Sequence, residues 1–112
     1  MATYVLVFGR LHRLEDKEAF EAAFEQVSRT IVGSVKGIIR DELIHDSSDP
    51  YTYIMLSEWE DRNAWTTWQS APVHEEQVGV MQQYWKGQGV KVCTTAFCVE
   101  KTKHSQEKDQ AA

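Results

Sequence analysis

One histidine and four tryptophans with chemical potential, Trp59, Trp65, Trp68, His74 and Trp85, fall within 27 consecutive positions in the second half of the chain. An imidazole titrates near neutral pH, so His74 can take a proton from a phenol or ligate a metal. At helical spacing it shares a face with Gln77, Val78, Met81 and Trp85, and that face is expected to turn inward. The same position suits a core histidine, or one that caps a helix segment after Pro72. Trp65 and Trp68, with Trp59, Tyr84 and Trp85, can wall a pocket for a flat ligand or fill the core.

The remaining candidates carry less chemistry. Arg40 and Glu42 alternate with Ile39 and Leu43, a polar pair that can line a pocket, meet a second subunit or lie on a solvated edge. His12 and His45 sit at strand ends and are expected at the surface. Cys93 and Cys98 fall in one expected strand at a spacing that sends them to opposite faces, which predicts free thiols. Neither belongs to a zinc-like cluster.

These residues need elements to hold them. Tyr4 to Leu11 is rich in Val, Leu and Phe and predicts a strand, and Asp16 is the expected cap of a helix over 17–35. Within that helix Phe20, Ala23, Phe24, Val27 and Ile31 recur on one face, and Gly33 and Gly37 mark its end. Ile38 to His45 and Tyr51 to Trp59 predict a hairpin around the turn Asp46-Ser-Ser-Asp-Pro50. Glu60 and Asp61 cap a second helix, which breaks at Ser70-Ala-Pro72 and resumes as far as Trp85, with Gly87 and Gly89 as its stop. A last strand is expected over 90–99.

The resulting order, βαββαβ, is the ferredoxin-like α+β arrangement with an antiparallel sheet. It occupies residues 1–101 as one domain, and the polar residues 102–112 are expected to be a disordered tail. With 112 residues a single core is expected, and a pocket shared between two chains is easier to build than a deep one in a single chain. Strand one has Val5 and Val7 on one face and Tyr4, Leu6 and Phe8 on the other, so both faces need cover. Two helices cover one face, and a second copy of the sheet is the natural cover for the other, which predicts a homodimer.

A net charge of −5 argues against non-specific nucleic-acid binding. The apolar run at the N-terminus is too short for a membrane span and lacks the pattern of a signal peptide, so a cytoplasmic protein is expected.

The segment Tyr53-Ile-Met-Leu-Ser-Glu-Trp59, followed by Glu60-Asp-Arg-Asn-Ala-Trp-Thr-Thr-Trp68 and Gln69-Ser-Ala-Pro-Val-His74, resembles the antibiotic biosynthesis monooxygenase family of the dimeric α/β-barrel superfamily. The resemblance runs from Tyr4 to about Glu100. It implies a homodimer whose sheets meet in a barrel, with one pocket per subunit between sheet and helices. It also implies oxidation of a small aromatic or quinol-type substrate without a cofactor, the protein ionising the substrate and protonating its oxygen adduct. Trp68 is then the expected pocket aromatic and His74 its catalytic companion, with Trp65, Met81, Trp85 and Arg40 as candidate substrate contacts. Trp65 also suits a core position.

A second branch of that superfamily binds and degrades haem. Its ligand histidine falls at Gln77 and its strand-one asparagine at Gly9, although a Trp stands at Trp68, so haem would depend on His74, one turn earlier, as ligand. A non-catalytic dimer that binds a small ligand is the third class the sequence allows.

Overall fold

The computed structural model describes residues 2–101, apart from the side chain of Gln77. The expected polar tail lies outside the described residues. Four strands, β1 (Thr3–Leu11), β2 (Ile38–His45), β3 (Thr52–Trp59) and β4 (Trp85–Thr94), form one antiparallel sheet in the order β2-β3-β1-β4. Three helices, α1 (Lys17–Ser34), α2 (Arg62–Gln69) and α3 (Pro72–Gly79), complete the ferredoxin-like α+β fold.

Strand parity decides what each side of the sheet meets. Val5, Leu11, Tyr53 and Trp59 are buried on the helix side, where Leu11 and Tyr53 join Phe20, Met81 and Trp85 in one core cluster. On the opposite side, Phe8 pairs with Ile54, and Ile54 with Ile44; Leu6 pairs with Leu56. These side chains are half-buried or exposed, in keeping with the two-sided apolar pattern of the sequence.

Helix boundaries follow local chemistry. Asp61 caps α2 by accepting a hydrogen bond from the Ala64 N–H at 2.8 Å. Ala71, which precedes proline, is extended, and Pro72 opens α3 where its missing N–H costs nothing. Gly37 follows α1 with φ of 89°, and a Cβ there would stand 2.5 Å from that of Ala64. Asp16 does not cap α1. It closes a 3-10 turn, Leu14–Asp16, and bonds Arg13 at 3.1 and 3.2 Å, because its backbone lacks the extended conformation of a cap.

The main correction falls on residues 80–90. The third helix stops at Gly79, Val80–Gln83 tightens into a 3-10 turn, and Trp85 begins β4 rather than ending a helix. Pairing of Trp85 with Leu11 sends the indole into the core that helical spacing from Met81 would also have reached. Gly87 and Gly89 therefore lie inside a strand. The last strand ends at Thr94, not Val99, so Cys98 is beyond it; both cysteines are free and exposed.

Candidate functional site

The end of β3 and the α2–α3 corner bring three of the singled-out rings together. Trp59 is fully buried, and its indole N–H donates to Ser57 Oγ at 2.8 Å. Trp68 lies with its ring centre 5.4 Å from that of Trp59. The His74 ring meets Trp68 edge-on, 4.5 Å between centres and 86° between planes. The break at Pro72 lies between the two rings, with Trp68 in the last turn of α2 and His74 in the first turn of α3.

Two cavities flank the pair. One of about 500 Å³ lies between the α1–β2 connection and α2, lined by Trp68 with Gly37, Asn63, Ala64, Thr67 and Val73. The other, about 830 Å³, is bordered by His74 with Gln69, Ser70, Glu75 and Gln82. Ala71 lines both. Burial lowers the His74 pKa, against a smaller opposing effect of Glu75, so the ring is neutral near pH 7 and has a lone pair to accept a proton. The Asn63 carboxamide, which sequence reasoning did not single out, adds a donor and an acceptor to the first cavity. Its place in the first turn after the Asp61 cap was the signal available.

The other candidates lie elsewhere. Met81 and Trp85 are packed in the core cluster, with the Trp85 ring 5.4 Å from Phe20. Trp65 is half-buried on α2. Arg40 is exposed on β2 and pairs with Glu42 and Glu58, each at 3.6 Å. The polar walls beside His74 do not fit haem, whose large apolar ring needs apolar and aromatic contact. Among the described residues no group of three or more His, Cys, Asp or Glu is placed to hold a metal ion.

A second titratable cluster lies between α1 and β2. Asp41, Leu43 and His45 share the helix side of β2, a period-2 pattern legible in the sequence. Tyr53 donates to Glu21, and burial with that carboxylate pushes its pKa up to about 12. His45, exposed as expected, stacks on Tyr53 with 4.3 Å between ring centres. Burial raises Asp41 to about 6 from the ordinary 3.8, against hydrogen bonds from Ser28 and the Glu42 N–H.

A raised carboxyl pKa means that the fold holds its proton more tightly than the unfolded chain does. The Asp41 penalty is therefore absent below the unfolded pKa, grows as pH rises through the window from about 4 to about 6, and is constant above it. Asp41→Asn is expected to stabilise the protein at pH 7 by on the order of 2 kcal/mol, and by much less at pH 4. Urea denaturation of both proteins across this range checks the sign; a variant less stable at pH 7 than its parent would refute it.

Fold and site together define a small α+β domain with two cavities at the α2–α3 corner, one bordered by Trp68 and the other by His74. The family model for antibiotic biosynthesis monooxygenases matches residues 5–79, and the chain belongs to that family. A variant of SnoaB from Streptomyces nogalater, described as a cofactor-independent oxygenase, superposes with a TM-score of 0.75 at 13% identity, covering 89% of this chain and 98% of that one. HapK from Hahella chejuensis gives 0.74 at 16% identity over 91% and 99%. A conserved protein from Methanosarcina mazei Go1 gives 0.70 at 14% over 83% and 91%. At these identities the structures establish a shared fold. No curated protein matches the sequence. Among the described residues no helix is long and apolar enough to cross a membrane.

Proposed function

We propose that the protein is a cofactor-independent monooxygenase that oxidises a small phenolic or quinol-type molecule, bound against Trp68 and deprotonated by His74. The observation that carries this reading is the Trp68–His74 contact, which sets a neutral imidazole beside an aromatic wall within the family-matched span. His74 would take the phenol proton, and the phenolate would pass electrons to oxygen as a carbon–oxygen bond forms. The imidazolium would return the proton to the oxygen adduct, giving a ring hydroperoxide. Loss of the ring hydrogen with the outer hydroxyl then yields quinone and one water, so phenol plus O₂ balances quinone plus water.

The reading includes a homodimer formed through the open face of the sheet. Its support is the apolar patch of Leu6, Phe8, Ile44, Ile54 and Leu56, together with Phe97 and Val99, which follow β4 and are 83% and 82% exposed.

Oxygen uptake with a panel of polyphenols tests the chemistry. His74→Ala is expected to slow turnover by about 100-fold or more, and Trp68→Ala to weaken substrate binding. Because the His74 pKa lies below the ordinary 6.5, activity should be flat from neutral to mildly alkaline pH and fall only on the acid side. Uptake no faster than autoxidation for every substrate, with the double variant indistinguishable from its parent, would end the proposal.

A further inference from the structure

The groove between α1 and β2, about 740 Å³, has a largely apolar wall of Phe24 and Val32 from α1, Leu43 from β2 and Tyr53 from β3. That size suits a small organic ligand. Three of its bordering carboxylates have a cation: Glu21 with Lys17 at 2.9 Å, Glu25 with Arg29 at 3.0 Å and Glu42 with Arg40 at 3.6 Å. Asp41 has no ion-pair partner among the described residues. It accepts hydrogen bonds from the Ser28 hydroxyl and the Glu42 N–H, both neutral donors. A carboxylate set into an apolar wall without its counter-charge keeps a desolvation cost that an arriving cation can offset.

We propose that this groove binds a small organic cation, a protonated amine on an arylalkyl body, with the ammonium group on Asp41 and the body against Phe24, Val32 and Leu43. The ammonium donates to the carboxylate, and the aromatic wall adds contact that a bare inorganic ion could not use. The other charged or titratable residues that line the groove are Glu21, Glu25 and Arg29 from α1, Glu42 and His45 from β2, and Tyr53 from β3; Glu42 alternates with Asp41 along the strand and lies toward the opposite face. Arg29 is the cation among them, and it is bound to Glu25 on its own helix. The raised pKa of Asp41 agrees with a missing counter-charge, and a bound ammonium would lower it. Binding should therefore displace a proton near pH 6. This site is separate from Trp68 and His74 and does not depend on the oxygenase reading.

Titration calorimetry with 2-phenylethylamine and its uncharged analogue 2-phenylethanol tests the site. At about pH 7.5 the amine should bind at least about tenfold more tightly than the alcohol, equivalent to about 1.4 kcal/mol. Near pH 5 that advantage should shrink, with heats that depend on the buffer's ionisation enthalpy as protons are released. Asp41→Asn should weaken amine binding at least about tenfold and leave the alcohol unchanged. Equal affinity for the two probes, absence of amine binding, or undiminished amine binding in the folded variant would overturn the proposal. The pH series on the unaltered protein decides the matter if that variant does not fold.

Discussion

Truncating Trp59 to alanine is expected to remove much of the folding stability. The residue is fully buried at the end of β3, where its backbone pairs with Thr3 of β1 and Ile38 of β2. Its indole reaches Ser57 and packs on Trp68. Loss of a buried tryptophan side chain costs about 3–5 kcal/mol, against a total of about 5–15 kcal/mol for a typical domain. Trp68 would lose its inner support at the same time, so oxygen uptake should fall even in the fraction that remains folded. Trp59→Phe keeps most of the ring volume and should cost less. Urea midpoints for both variants give the measurement, and a loss below about 1 kcal/mol in Trp59→Ala would contradict the packing account.

Phe8→Glu should have an effect of similar size, directed at assembly. Phe8 stands in a cross-strand row with Ile54 and Ile44, next to the row of Leu6 and Leu56, on the face that no helix covers. Glu42, Glu58, Arg40 and Lys91 border these rows in the strand register, giving an apolar centre with a charged rim. If a second copy covers the patch, the new carboxylate is buried without a partner, once in each subunit, at a cost of several kcal/mol. On an uncovered face the same carboxylate would remain hydrated and well tolerated. Sedimentation equilibrium at micromolar concentration should give about twice the 12.9 kDa chain mass for the unaltered protein and a single-chain mass or unfolding for the variant. A folded, monodisperse monomer of the unaltered protein would overturn the dimer.

The segments most legible in the sequence were those with one dominant local signal. The α1 face, the β2–β3 hairpin, the Asp61 cap and the break at Pro72 each rest on spacing or backbone chemistry that neighbours reinforce. Residues 80–90 lacked such a signal. Met81 and Trp85 are four apart, a spacing that fits a helix face as well as a turn that delivers a strand to the same core. Gly87 and Gly89 suggested a stop, yet pairing with β1 accommodates both. Gly9 shows why side-chain identity mattered there: a Cβ at that position would stand 2.5 Å from the Trp85 ring.

Local sequence determined the order of elements, the two apolar faces of β1 and the inward turn of the helix that carries His74, because these depend on side-chain period and on backbone preferences over a few residues. Tertiary structure alone decided which rings meet. Trp68 meets His74 across the break between α2 and α3, while Met81 and Trp85, on the same imagined face as His74, belong to a core closed by β1 and α1. Asp41 was equally hidden as a chemical group. Its parity on β2 could be counted in the sequence, but its burial beneath α1 and the absence of a counter-charge depend on where every neighbouring cation is held, which is a property of the folded chain.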